Sequence, residues 1–405
     1  MKKNLSFYLL LLTAFLIFFM AVTCVFPPAE RVDFNLRINE IECLLKGVNP
    51  FDIWNEEVRL HPYVSNIPKQ PVPEGFTKMV NAYAPWEYSY MMAFALLPRG
   101  VAWFVYSLLM LLSCFFLIKI TRSFLDDTFD EDDKKIISLV PFIVVSYLLW
   151  SNVSVGNFVV FVLLFSILTA RFLSQGNQVV AGVCWALAMV KPQSAILLAI
   201  PLLIRKKFFA CFIAVAVCLG ASLLPSYLCK TSLIELLIQG PAANAELFYG
   251  SGTWPLIFCG YFSNSIDILI GLFIGILLCV FMTWRLRDEN DYLIFIMPSL
   301  VVASSWTYTQ VYGHAICYLL VYAILKDLLK NPSSKMLRIL FVSSLFVLSR
   351  GFLAWRGLCA YMGVNFPLSE YAFRSIDSLN TTVTLVIALV YVIFKTKNQK
   401  QFKLI

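Results

Sequence analysis

Residues 5–26 have the sequence LSFYLLLLTAFLIFFMAVTCVF, which contains no charged side chain. The hydrocarbon core of a bilayer needs about 20 apolar residues in one helix, so this segment is long enough to cross it. Lys2 and Lys3 precede the segment, as in a secretory signal. Its apolar run is longer than the roughly 7–15 residues of a signal peptide, however, and a small-residue cleavage site is lacking. We therefore predict a retained transmembrane helix with a cytoplasmic N-terminus.

Segments of similar character recur along the whole chain. Its 405 residues are 60% hydrophobic and 14% charged, with a mean hydropathy of +0.78, whereas soluble domains carry about 25% charged residues. The short alternating segments of a membrane β-barrel are not visible. The sequence predicts an all-α polytopic membrane protein, a bundle of about 12 transmembrane helices by apolar length. The predicted crossings lie near residues 5–26, 101–120, 136–150, 158–173, 179–190, 193–204, 208–224, 265–284, 291–304, 315–329, 337–353 and 378–394.

One long polar stretch, residues 27–100, interrupts this pattern. Within it we predict a helix from Phe34 to Lys46, followed by Gly47 as a plausible C-cap. A second helix is predicted over residues 84–98, whose Tyr and Trp side chains suit the headgroup layer. The chain is thus expected to form a single transmembrane domain, residues 1–405, with an outward-facing loop, residues 27–100, that carries two interfacial helices.

The distribution of basic residues decides the topology. If residues 84–98 lie along the interface, twenty of the 32 Lys and Arg residues fall in cytoplasmic segments, where such residues collect. If residues 84–98 cross the bilayer, every later basic cluster is reversed. We therefore predict a multi-pass protein of a bacterial-type inner (plasma) membrane. Both termini are expected to be cytoplasmic, and the long loop is expected on the other side.

A few charged residues on the predicted outer side are candidates for function. Asp33 is a lone carboxylate at the point where the first helix leaves the bilayer. Three roles are open for it: a solvated loop charge, a cap for the following helix, or a catalytic group. Lys191 lies between two short apolar runs, where a charge usually faces a cavity, although a lysine can also snorkel. Arg350 and His314 lie at outer helix ends, where each is either an interface residue or part of a site. Together, the basic residues on the outer side indicate a site for an anion, and a lipid phosphate is the anion most available there.

Other classes of site have little support. The net charge of +8 is explained by cytoplasmic Lys and Arg, so we expect no nucleic-acid partner. The eleven cysteines are scattered without metal-ligand spacing, and the only histidines are His61 and His314. We expect neither a metal nor a cofactor.

Several short motifs occur together in a familiar order. Asp33 is followed by Gly47-Val48-Asn49-Pro50-Phe51, which is similar to a G-x-N-P-[YF] turn. Tyr83-Ala84-Pro85 resembles a Y-x-P-P sequence, although Trp86 replaces the second proline. Gly156-Asn157, the segment from Ala181-Gly182 to Lys191-Pro192-Gln193, and Ser304-Ser305-Trp306 with His314 complete the set. The chain resembles integral-membrane GT-C glycosyltransferases, most closely their family 87 branch, over residues 1 to about 320. The last motif departs from the family in its longer spacing and its missing second histidine.

This resemblance implies a function and roles for individual residues. It implies transfer of a single sugar, a hexose such as mannose, from a polyprenyl-phosphate donor to a hydroxyl of a glycan or glycolipid. Asp33 would be the catalytic residue, and the reaction would invert the anomeric centre. The expected phosphate-binding residues are Lys191, Arg350, His314 and Arg356. The expected substrate-binding residues are Arg37, Asn49, Tyr83, Trp86, Asn157 and Gln193.

Two other functions remain open on the sequence. A polysaccharide polymerase or ligase would share the size, the topology and the lipid-linked substrate, although its large outer loop usually comes later in the chain. A flippase or transporter of lipid-linked sugars needs a charged pathway through the bilayer centre. The mid-helix positions of this chain are apolar, which disfavours transport.

Overall fold

A computed structural model describes residues 2–25, 32–51, 84–239, 264–306, 311–351 and 372–402. Within these ranges the chain forms helices and no strands. In chain order the helices are α1 (Lys2–Val25), α2 (Val32–Leu45), α3 (Pro85–Ala95), α4 (Arg99–Arg122), α5 (Glu131–Val144), α6 (Ser146–Val155), α7 (Val159–Ser174), α8 (Gln178–Ala188), α9 (Pro192–Ala195), α10 (Ala199–Ile204), α11 (Phe208–Cys229), α12 (Asn264–Arg285), α13 (Tyr292–Trp306), α14 (Tyr318–Lys330), α15 (Lys335–Leu348) and α16 (Ala372–Phe402). Residues 233–239 are also helical, and 3₁₀ turns cover Ile196–Leu198 and Val311–Cys317.

Every predicted crossing overlaps helical structure within the described ranges, but the count of 12 transmembrane helices is not confirmed. In the described ranges, four helices are long and apolar enough to cross a membrane, and they include α4 (Arg99–Arg122) and α11 (Phe208–Cys229). The pair α5–α6 would be a fifth, although its two halves are bent by 54°. The shorter apolar helices, which include α7 (Val159–Ser174) and α8 (Gln178–Ala188), have 10–17 residues. At 1.5 Å per residue they are shorter than a hydrocarbon core of about 30 Å.

Local sequence signals explain where helices begin and end. The Asp130 carboxylate accepts the backbone N–H of Asp133 at 2.7 Å, and this N-cap starts α5. Three acidic residues follow in the first turn, where they complement the helix dipole. Helix α2 ends before Gly47, whose φ of +77° is the left-handed conformation of a C-terminal glycine cap. The helix predicted at Phe34–Lys46 is therefore present, with bounds shifted by one or two residues.

Ion pairs gather several helix ends at one end of the bundle. Lys2 Nζ contacts Asp133 at 2.9 Å, which joins the start of α1 to the start of α5. At the same end Lys330 pairs with Asp126, Lys326 with Asp291, and Lys395 with Asp327. Since α1 starts and α4 finishes at this end, the two helices are antiparallel.

The opposite end of the bundle holds the loop helices. Trp103, near the start of α4, donates its indole N–H to the carbonyl of Cys24, near the end of α1, at 2.8 Å. Arg99, at the start of α4, pairs with Glu42 of α2 at 2.9 Å. The chain between α1 and α4 therefore returns to the end from which it left, and α3 adds no crossing of the bundle. This end carries the candidate site.

Candidate active site

Asp33 is brought to its neighbours by a close approach between α2 and the end of α6. Helix α6 ends at Gly156, which has a φ of +76°. A Cβ atom at this glycine would lie 2.6 Å from Cβ of Phe34, so only glycine permits the approach. The next residue, Asn157, donates its side-chain N–H to Oδ2 of Asp33 at 2.7 Å. The Gly156-Asn157 pair thus links the two helices directly beside the carboxylate.

Lys191 reaches the same asparagine from the link between α8 and α9. Pro192 opens α9 and forces the preceding residue out of helical geometry. The ammonium of Lys191 donates to Oδ1 of Asn157 at 3.3 Å, and the side chain is buried, with 4% of the residue exposed. Burial lowers the pKa of this ammonium to about 8, against the opposing effect of the Asp33 and Glu87 carboxylates. The amide of Asn157 therefore bridges a carboxylate and a cation.

A buried ion pair lies one helical turn beyond Asp33. Arg37 and Glu40 are both buried, and Nη1 of the arginine contacts Oε2 of the glutamate at 2.6 Å. Residues four apart share one face of a helix, so Arg37 is on the same side of α2 as Asp33. Its positive charge adds a small contribution to lowering the pKa of Lys191, after that of burial.

Glu87 of α3 belongs to this group, and the sequence reasoning did not select it. Its side chain is fully buried, and it interacts electrostatically with Arg37, Glu40, Lys191 and Asp33. Burial raises the pKa of its carboxyl well above the usual value, although the two cations oppose the shift. One signal was available, because Glu87 is the only charged residue in the helix PWEYSYMMAFA.

The aromatic residues of α3 hold this helix against the protein. Trp86 donates its indole N–H to the carbonyl of Met189 at 2.7 Å, two residues before Lys191. Tyr90 donates its hydroxyl to the carbonyl of Ala186 at 3.3 Å. The ring of Tyr88 is buried and packs against that of Phe51. These contacts fix α3 relative to the segment that carries Lys191.

His314 and Arg350, two of the expected phosphate-binding residues, contact a different set of side chains. Nε2 of His314 lies 3.3 Å from the hydroxyl of Thr381, and Arg350 lies near this histidine and over the ring of Tyr147. Burial, with a smaller contribution from Arg350, lowers the pKa of His314 to about 4. The imidazole is therefore neutral near pH 7 and can offer a hydrogen bond but no charge.

The remaining predicted residues have varied positions. Asn49 accepts the backbone N–H of Phe51 at 3.1 Å and donates to Gln239 at 3.1 Å, so it stabilises the turn after α2. Gln193 is half-buried in α9. Tyr83 and Arg356 lie outside the described residues.

The arrangement suits chemistry in which an anion binds next to a base. Asp33 is partly exposed and can take a proton, while Lys191 and Arg37 supply positive charge beside it. Across the described residues, no group of three His, Cys, Asp or Glu side chains is arranged to hold a metal ion.

Comparison with known proteins gives one match. The family model of glycosyltransferase family 87 matches residues 81–309, which is more than half of the chain. This range includes Glu87, Asn157 and Lys191, begins after Asp33 and ends before His314. No curated protein and no solved structure matches the chain.

Proposed function

The chain belongs to glycosyltransferase family 87, and on that premise we propose that it transfers a single sugar from a polyprenyl-phosphate donor to an acceptor hydroxyl. The sugar is a hexose such as mannose, the acceptor is a glycan or glycolipid, and transfer takes place at the non-cytoplasmic face of the membrane. The observation that carries this proposal is the hydrogen-bonded series Asp33–Asn157–Lys191. In this series a single amide side chain bridges the proposed base and a cation.

The proposed reaction exchanges two bonds at the anomeric carbon. The acceptor oxygen attacks this carbon, the bond to the phosphate oxygen breaks, and the bonding electrons leave with the phosphate. Asp33 accepts the proton of the acceptor hydroxyl, an effect worth roughly 10²–10⁴-fold in rate. Attack from the face opposite the leaving group inverts the anomeric centre.

The leaving phosphate gains negative charge, and buried cations stabilise it. Lys191 is the first such cation, because it lies next to the base and is shielded from water. Arg37 is the second, since it lies on the same face of α2 as Asp33 and is buried beside Glu40. Preorganised charges of this kind usually provide the largest single contribution to catalysis.

Other residues have supporting roles in the proposal. Arg350, Arg356 and a neutral His314 contribute to binding of the donor phosphate. Substrate contacts are assigned to Gln193 and Tyr83, while Asn49 and Trp86 act by positioning the turn after α2 and the Lys191 segment.

A transfer assay tests this function. The purified protein in lipid nanodiscs is given polyprenyl-phosphate hexoses with radiolabelled sugar, together with a glycolipid extract as acceptor. We expect the wild type to transfer label and the Asp33→Asn variant to lose at least about 100-fold of the rate, because the amide cannot take the proton.

The matched control is Asp127→Asn, which makes the same change at a fully exposed carboxylate far from the site. This variant should transfer label at the wild-type rate. Equal rates for the wild type and Asp33→Asn, with equal protein yield and melting temperature, would remove Asp33 from the mechanism.

A further inference from the structure

Glu87 has a feature that the mechanism above does not use. Its side chain is fully buried, and among the described residues neither carboxyl oxygen has a hydrogen-bond partner. Buried polar groups are nearly always hydrogen-bonded, since an unsatisfied group loses its hydration without replacement. A carboxyl group in this condition destabilises the fold, and its presence calls for a partner that the described part of the chain does not supply.

The charged groups around Glu87 indicate which part of the protein its carboxyl faces. Helix α2 presents Asp33, Arg37 and Glu40, and the α8–α9 link presents Lys191. Helix α11 also packs against α3, but it has no charged residue between Phe208 and Cys229. At the start of α4, Arg99 is paired with Glu42. The carboxyl of Glu87 therefore faces the cations of the candidate active site.

The charge balance favours a neutral Glu87. Two cations, Arg37 and Lys191, are offset by two carboxylates, Asp33 and Glu40. An ionised Glu87 would give the site excess negative charge, which would repel a phosphate. Burial also disfavours the ionised form, and it raises the pKa of this carboxyl well above its usual value. A protonated carboxyl has an O–H to donate, and hydrogen bonds to an ionised acceptor are roughly twice as strong as neutral ones.

We propose that Glu87 is a phosphate-binding residue, whose carboxylic acid donates a hydrogen bond to a non-bridging oxygen of the lipid-linked phosphoryl group. The inference rests on the proposed function, because that function brings a phosphate to Lys191 and Arg37. It adds a neutral donor to two cations and explains why an unsatisfied acid is retained in α3. The site then binds the phosphate by charge on two sides and by a directional hydrogen bond on a third.

Two substitutions separate this role from a structural one. Glu87→Gln keeps the shape and an N–H donor, whereas Glu87→Met keeps the length and removes all hydrogen bonding. The probe is a polyprenyl monophosphate without sugar, and its dissociation constant is measured by tryptophan fluorescence in nanodiscs. We expect Glu87→Gln to bind within about threefold of the wild type and Glu87→Met to bind about 10- to 100-fold more weakly.

Stability provides the second measurement. Replacing an unsatisfied buried acid by an apolar side chain removes a destabilising group, so Glu87→Met should melt at or above the wild-type temperature. Weaker binding in a protein that is at least as stable is a result that loss of structure cannot produce. Glu87→Leu is a second apolar variant for the case in which methionine does not pack.

Glu42 provides the matched control for these substitutions. Glu42→Gln and Glu42→Met make the same changes at a partly exposed glutamate of α2 and should leave binding unchanged. Wild-type binding by the apolar Glu87 variants, or equal loss in Glu87→Gln and Glu87→Met, would overturn the inference alone. Failure of the wild type to bind the monophosphate would overturn the proposed donor, and the inference with it.

Discussion

The amide of Asn157 determines how the base and the cation are related. Its Oδ1 accepts the backbone N–H of Val159 at 3.2 Å as well as the ammonium of Lys191. This fixes the oxygen on the side of the cation, so the NH₂ group must point at Asp33. A carboxylate at this position could not donate, and an apolar residue could neither donate nor accept. The asparagine amide, which donates from one atom and accepts at the other, therefore joins the negative charge of Asp33 to the positive charge of Lys191.

The pKa of Lys191 gives a pH dependence that can be measured. Its ammonium is cationic below pH 8 and loses its proton as the pH rises through about 8. The proposed function places the donor phosphate at this cation, so donor affinity should fall over this range. Lys191→Arg remains charged at all accessible pH values and should weaken the fall, whereas Lys191→Met should bind weakly throughout.

The measurement is the dissociation constant of a polyprenyl phosphodiester donor, which does not titrate, between pH 6.5 and 9.5. Lys119→Met, at an exposed position of α4, is the control and should retain the wild-type profile. An unchanged alkaline loss of affinity in Lys191→Met would show that another group is responsible.

At the scale of single residues, the sequence identified the charges better than their surroundings. Asp33 and Lys191 stood out because charged residues beside apolar segments are few on the predicted outer side. The resemblance added Asn157, but nothing in the spacing places an amide between two residues that are 158 positions apart in sequence. Glu87 was missed, because whether a glutamate in a short aromatic helix faces water or protein depends on packing.

At the scale of elements, α3 is important because its aromatic side chains are bonded to the segment that leads to Lys191. The indole of Trp86 is bonded to the carbonyl of Met189, close to the point where the chain turns into Lys191. Tyr90 bonds one turn earlier, at Ala186, and so fixes the helix without reaching the turn. Helix α3 therefore positions Lys191 through one of its two aromatic contacts.

Two substitutions that remove these hydrogen bonds test this positioning. Tyr90→Phe deletes one hydroxyl and should cost about 1 kcal/mol of stability, whereas Trp86→Phe also shrinks the ring and should cost somewhat more. Only Trp86→Phe should also slow transfer, by about tenfold, because small displacements of a catalytic group strongly reduce rate. Tyr90→Phe is the matched control. Equal transfer rates in the two variants would mean that Trp86 contributes to packing alone.

The helix bounds show which structural features the sequence encodes. The segment predicted as one crossing at residues 136–150 is two helices with a bend of 54° between α5 and α6. Its early start at Glu131 follows from the Asp130 cap, a local signal that the hydropathy pattern does not contain. Near the break at Val145 the sequence offers only Pro141, four residues earlier inside α5, and the apolar run itself looks the same whether or not the helix bends within it.

At the scale of the whole molecule, charge predicted more than hydropathy did. Lys2, Lys326, Lys330 and Lys395 were assigned to one side from their sequence positions alone, and their ion pairs do gather at one end of the bundle. The reason is physical, since ionised side chains need water or partners and so collect where helices end. The number of crossings was less accessible, because helices of 10–17 residues are apolar whether they cross the bilayer or lie inside the protein.

The two ends of the bundle lead to a prediction about the membrane. Asp127 is fully exposed at the end with the clustered ion pairs, and Lys46 is exposed just after α2, at the end with the candidate site. If basic residues mark the cytoplasm, a cysteine introduced as Lys46→Cys should react with an impermeant maleimide on intact spheroplasts. A cysteine introduced as Asp127→Cys should react only after permeabilisation. The parent protein is the control, because its described cysteines are buried or half-buried. The reverse labelling pattern would place Asp33 and Lys191 on the cytoplasmic side, where the donor would have to be presented from the cytosol.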